Sequence, residues 1–356
     1  MPFDPPPAPA RTTALPRHST VAVWLFIMCA MILVMVVLGG ATRLTGSGLS
    51  IMEWAPILGT LPPMTDAEWQ RLFALYQKIP QYALVNQGFG IDGFKHIFWL
   101  EWTHRLWGRL LGFAFAVPLL WFAVRRQLPQ GLWKRLVFLL LLGGLQGAVG
   151  WFMVASGFEA DRTAVSPYRL VVHLVLALSL YAALLWTALG VWRLGRGAVA
   201  AGPGWLRGLS GLLVALVGLT IVAGGFVAGL KAGLTYNSFP LMDGHLVPDG
   251  YAALQPWVRN LTENIPAVQF DHRLLATITA ALALGTMIAG LAAGVSGRIR
   301  AALLALGGVV CVQYALGVVT LLWVVPVVPA TAHQAVAVLL LTAALVLRHT
   351  QRPWAG

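Results

Sequence analysis

Charge is scarce in this chain: only 10% of its 356 residues are charged and 58% are hydrophobic, which excludes a water-soluble globule. Acids are scarcer still, twelve against twenty-four Lys and Arg. Cysteine is nearly absent. The two present, Cys29 and Cys311, fall inside apolar runs and read as small core residues, so no loop disulfide or dithiol relay can be built. The N-terminal residues do not read as a cleavable signal peptide, since the first apolar run is long and no small-residue cleavage site follows it cleanly. No extended Arg/Ser-rich transit segment is present either. A bacterial plasma (inner) membrane is therefore the expected location, rather than an organelle.

What is abundant is apolar sequence long enough to cross a bilayer. Eight spans are predicted, at roughly 21–41, 98–124, 133–154, 168–192, 206–229, 268–295, 301–324 and 330–348. With the N-terminus cytoplasmic, one side holds Arg11, Arg17, Arg125, Arg126, Lys134, Arg135, Arg193, Arg196, Arg207, Arg298, Arg300, Arg348 and Arg352 with a single acid, Asp4. The other eleven acids fall in the opposite loops or outer helix ends. This is the positive-inside bias, and it puts both termini in the cytoplasm. A net charge of +12 scattered over short loops suits anionic lipid headgroups and argues against nucleic acid. Residues 1–18, rich in proline, read as a disordered cytoplasmic tail.

The two halves of the chain match. Gly39-Gly40, followed by Gly48-Leu49-Ser50, answers to Gly224-Gly225, followed by Gly233-Leu234-Thr235, at an offset of 185. Glu101-Trp102-Thr103-His104-Arg105 answers to Gln269-Phe270-Asp271-His272-Arg273 at 168, Gln146 and Gly150 to Gln313 and Gly317 at 167, and His173 to His333 at 160. The expected fold is an all-α integral membrane protein whose eight transmembrane helices form two tandem four-helix bundles, residues 19–195 and 206–350, related by an internal repeat. Gly108 and Gly112, and Gly143 and Gly147, have small-xxx-small spacing, read mainly as close helix packing and alternatively as room for a flat macrocycle. Thr65-Asp66-Ala67-Glu68, followed by Trp69, Leu72, Phe73 and Tyr76, predicts a short capped amphipathic helix on the membrane surface or over the bundle.

Four histidines occupy matched positions just inside the outer ends of alternate helices: His104 and His173 in one half, His272 and His333 in the other. Histidine inside a bilayer is costly and marks a functional site. Two imidazoles facing each other across a bundle suit the axial positions of a heme iron better than zinc, which needs four ligands, or three and water. His18, His245 and His349 read as solvated, and His96 has no repeat partner. Arg105 and Arg273, beside two of the histidines, with Arg109 and Arg43, are candidates to pair with heme propionates. Arg169 reads either so or as snorkelling to headgroups. Three residues before His104 stands Glu101, where the second half has Gln269. A carboxylate can act as acid or base and an amide cannot, so the first half is the candidate for chemistry and the second for an electron-carrying heme. The bland alternative is that Glu101 merely pairs with an outer-face arginine.

The Glu101–Arg105 run, the Gly-Gly-Ala-Thr-Arg-Leu-Thr-Gly-Ser-Gly-Leu-Ser segment at 39–50 and the four-histidine duplicated plan resemble the heme A synthase family, from about residue 20 to about 348. The resemblance implies a membrane oxidoreductase that oxidises the C8 methyl of heme O to the formyl of heme A, by successive hydroxylations and loss of water from a geminal diol. It implies heme b on His272 and His333, and heme O on His104 and His173 with Glu101 near the reacting methyl. It further implies protoheme farnesyltransferase and cytochrome oxidase assembly factors as partners, beside membrane lipid, with a homo-oligomer left open. Some members carry cysteine pairs in outer loops. This chain has none, so it resembles the cysteine-poor proteobacterial and mitochondrial branch. Two rival classes stay open from the residues alone: a di-heme b-type electron carrier, and a heme transporter or chaperone.

Overall fold

The computed structural model describes residues 18–56, 58–160, 162–194 and 202–353. The expected tail, with Asp4, Arg11 and Arg17, lies outside them apart from His18, as do Arg196 and most of the link between the halves. In chain order the helices are α1 (Ser19–Leu44), α2 (Asp66–Tyr76), α3 (Pro80–Leu84), α4 (Ile91–Val124), α5 (Leu132–Ala155), α6 (Pro167–Arg193), α7 (Gly204–Gly229), α8 (Asn260–Glu263), α9 (Ile265–Ala292), α10 (Gly297–Leu322) and α11 (Val327–Thr350). Eight of these are long and apolar enough to cross a membrane, as the sequence predicts. Lipid offers no hydrogen bonds to the backbone, and a helix satisfies its own. Eight crossings return the chain to the side on which it starts.

Element boundaries shift where local chemistry decides them. Helix α4 starts about two turns before residue 98, because Phe94 and Phe98 find an aromatic partner outside the bundle. Helix α9 stops at Ala292, short of the expected 295, where Gly294 takes a left-handed conformation (φ 70°) that ends the helix.

Within the first half α1 packs on α4 and α6, and α5 on α4 and α6. The second half repeats this pattern: α7 packs on α9 and α11, and α10 on α9 and α11. The seam between the halves is made by α1 against α11 and by α6 against α7 and α11. Consequently α1, α6 and α11 are the most buried spans, while α5 shows most of its surface. Lipid tails are as apolar as leucine, so tight packing and interhelical hydrogen bonds, not hydrophobicity, hold such a seam. One of these bonds joins Tyr181 and Thr342 at 2.7 Å.

Outside the bundle, α2 begins as expected: the Thr65 hydroxyl accepts from the Glu68 amide, and the Glu68 carboxylate accepts from Met64 N–H. Its apolar face does not lie free on a membrane surface. Trp69 packs edge-on to Phe98 at 4.9 Å and Tyr76 lies tilted against Phe94 at 5.5 Å, so α2 lids the start of α4. The fully buried Tyr76 bonds to Gln81, whose amide in turn donates to Gly46 O at the end of α1.

Three side-chain expectations are corrected. His349 is buried, edge-on to Trp186 at 4.9 Å, because α11 continues past Arg348 and packs its last turn on α6. Arg193 reinforces that contact by donating to His349 O. Cys29 is buried, but Cys311 lies on the exposed side of α10. A Cβ added at Gly112 or Gly147 would meet nothing within 4 Å, so these glycines do not bring backbones together.

Candidate functional site

The four histidines lie in the N-terminal halves of α4, α6, α9 and α11. His104 and His173 are near enough to interact electrostatically, and so are His272 and His333, which is the pairing the repeat suggests. All four rings are partly buried. The Nδ1 of His272 stands 3.1 Å from the carbonyl oxygen of Thr220 on α7. A carbonyl only accepts, so the proton sits on Nδ1 and the Nε2 lone pair is free for a metal. At His173 the amide nitrogen of Gln146 lies 3.1 Å from Nδ1, with Gln146 Oε1 buried and lacking a partner among the described residues. The same nitrogen donates to His173 O at 3.0 Å, which holds the amide in this orientation.

Each histidine faces a glycine on the neighbouring helix. A Cβ at Gly150 would come within 3.0 Å of the His173 ring, and at Gly224 and Gly317 within 2.9 Å of His272 and His333. At Gly39 it would stand 3.2 Å from His104 Nε2, and a half-turn of that ring brings Cε1 there as in the other three. The next glycines face the opposite half. Gly40 meets Gln334, next to His333, and Gly225 meets Val171 and Leu174, on either side of His173. The Gly-Gly pairs of α1 and α7 therefore lie between the two histidine pairs.

Glu101 is almost fully buried and completely engaged. Its Oε2 accepts from Ser50 Oγ at 2.7 Å and from Ile51 N–H at 2.9 Å, and its Oε1 forms a 2.6 Å ion pair with Arg105. Arg105 also donates to Ile51 O and Glu53 O. Next to this loop, the exposed pair with Arg71 holds the Glu53 carboxyl below the usual range. The second half uses the same clamp with reversed polarity: Gln269 Nε2 donates to Ala232 O and Thr235 O, and its Oε1 accepts from Arg273. Thr235 is the repeat counterpart of Ser50. The Glu/Gln difference thus follows the hydrogen-bonding sense of the loop, donors in one half and carbonyls in the other.

A prediction tests this clamp. Gln269→Glu should destabilise the protein by about 2 kcal/mol, since a carboxylate oxygen would face two buried carbonyls. Thermal melting of the purified protein in detergent measures it, and an unshifted melt removes the clamp from the account.

The arginines are largely occupied. Arg105 and Arg273 clip the loops after α1 and α7, with Arg273 donating to Tyr236 O and Ser238 O. Arg109 donates to Ala55 O and Pro56 O, and Arg43 crosses the seam to Ala228 O. Arg169 donates to Phe152 O, covers the Phe152 ring and pairs with Glu159 at 3.5 Å. Two buried guanidinium nitrogens, Arg109 Nη1 and Arg273 Nε, lack a partner among the described residues, as does Trp102 Nε1. Asp271 points away from His272 and accepts from Tyr251.

Among the described residues no three His, Cys, Asp or Glu side chains converge to hold a bare metal ion. Paired imidazoles, with the unpartnered guanidinium nitrogens of Arg109 and Arg273 on the same helices, fit a planar anionic macrocycle. The glycine contacts and the Thr220 carbonyl were missed in the sequence. Gly39, Gly150, Gly224 and Gly317 were visible as repeat landmarks, while Thr220 left no signal.

The chain is similar to proteins of known name. The heme A synthase of Granulibacter bethesdensis is 63% identical over 332 residues, 93% of this chain and 87% of its own. That of Nitrosospira multiformis is 49% identical over 93% of each chain, and that of a Caulobacter species is 46% identical over 95% of this chain and 98% of its own. The profile of a family described as cytochrome oxidase assembly protein matches residues 22–345, and the chain belongs to that family.

Proposed function

We infer that this protein acts as a heme A synthase, a multi-pass membrane enzyme of heme A biosynthesis with heme O as substrate and heme A as product. One observation carries the reading: two matched histidine pairs in a chain 63% identical to a heme A synthase over 93% of its length. The reaction proposed is oxidation of a methyl group of heme O to a formyl. Residues 206–350 hold a resident heme b between His272 and His333, and residues 19–195 take heme O between His104 and His173. The resident heme supplies a redox-active iron. Around it, Thr220 keeps the His272 proton on Nδ1, and Arg273 Nε is the donor left for a propionate. Around the substrate, Arg109 Nη1 plays that part, with Arg43 and Arg105 as further charges. Glu101 lies one turn from His104 and can hold negative charge or take a proton there. Both termini are cytoplasmic and the histidines lie toward the periplasmic side, following the charge bias of the loops. Protoheme farnesyltransferase and cytochrome oxidase assembly factors are the protein partners this role would need.

The test is co-expression with a heme O-producing farnesyltransferase in a host lacking heme A, followed by pigment extraction and mass analysis. Heme A should appear. Heme b and heme O alone, from folded and reducible protein, would favour a di-heme carrier or a transporter.

A further inference from the structure

We propose that Gly39, Gly150, Gly224 and Gly317 are positioning residues, each a flat seat that orients one of the four iron-ligating imidazoles. The proposal rests on the bis-histidine heme reading above. Its geometric basis is a fourfold coincidence. Each histidine sits on an even-numbered span of its half, and each glycine on the preceding odd-numbered span. At all four contacts a Cβ would stand 2.9–3.2 Å from a ring atom, closer than side chains normally approach. On the same spans Gly40, Gly225, Gly229 and Gly307 meet other side chains instead, while a Cβ at Gly144, Gly147, Gly218 or Gly308 would meet nothing within 4 Å.

The consequence depends on whether the ring is bound. A free imidazole is the far end of a flexible side chain and can swing aside from a new methyl group. A ring held on iron cannot, because its Nε2 direction is dictated by the metal–nitrogen bond. An alanine at a seat should therefore be tolerated by the heme-free fold and resisted by the ligated one. Helix propensity works the other way, since alanine is the better helix former. Any loss is then attributable to the ring contact.

The experiment uses the full chain, purified with its heme b. Gly224→Ala and Gly317→Ala test the seats of His272 and His333, and Gly218→Ala and Gly308→Ala, on the same two helices, are the controls. Heme b content, the reduced absorption bands and the low-spin electron paramagnetic resonance signal are read, together with helix content and melting of the heme-free protein. The seat variants should retain about tenfold less heme b or turn high-spin, as outer-shell changes at metal sites typically do. The controls should match the wild type, and all four heme-free proteins should be folded. Wild-type spectra in both seat variants would overturn the proposal, and so would seat variants whose heme-free form does not fold, since the glycines would then be packing residues. His272→Ala separates this failure from that of the heme reading. If it loses the signal while the seat variants keep it, only the seats fail; if it too is unchanged, the site assignment fails.

Discussion

Glu101→Gln is expected to lower heme A formation by about 100-fold or more while heme b content stays at the wild-type level. The substitution preserves size and most contacts but removes the one buried carboxylate in the site. The structure makes the test sharper and also more demanding. Glu101 is held by Ser50, Ile51 and Arg105, so glutamine also weakens the attachment of the loop to α4. Ser50→Ala separates the two effects, because it keeps the carboxylate and its ion pair and removes one hydrogen bond of about 1 kcal/mol. Extracted pigments from the two variants should differ: little or no heme A from Glu101→Gln, and most of the wild-type yield from Ser50→Ala. Equal losses in both would assign Glu101 to the loop, and a normal yield from Glu101→Gln would take it out of the reaction.

The second large effect concerns the resident heme. His272→Ala and His333→Ala should each abolish the low-spin heme b spectrum, because one axial imidazole no longer completes the coordination. His104→Ala and His173→Ala should leave that spectrum intact and stop heme A formation. At His272 the bond to Thr220 O already fixes the proton on Nδ1 and leaves Nε2 for the iron. A heme b spectrum unchanged by His272→Ala would move the resident heme elsewhere. A spectrum lost equally on His104→Ala would end the division of labour between the halves.

Much of this architecture is legible in the chain before folding. The eight spans follow from apolar length, and most of their ends lie within a few residues of the expected ones. The histidine pairing was legible because matched landmarks occur in the same order twice. The roles of the charged side chains were not. Arg105 looked free for a propionate, yet its guanidinium binds Glu101 and two loop carbonyls. The bond from Arg169 to Phe152 O left no signal in the sequence either. His349 looked solvated and is buried against Trp186.

The reason is the range of the interactions involved. Hydropathy and helix formation are local: in lipid every backbone amide must be satisfied within its own segment, so some twenty residues decide a span by themselves. The sequence alone therefore determines the all-helical, eight-span plan and which helices carry the histidines. Hydrogen bonds between Glu101 and Ser50, or between His272 and Thr220, join residues about fifty positions apart. Whether a loop presents N–H groups or carbonyls to such a side chain depends on its backbone path, and no local pattern encodes that. The same holds for a glycine, which is a packing residue, an open surface or a seat for an imidazole according to what the neighbouring helix brings to it. Only the tertiary structure decides between these, because only packing sets which atoms meet.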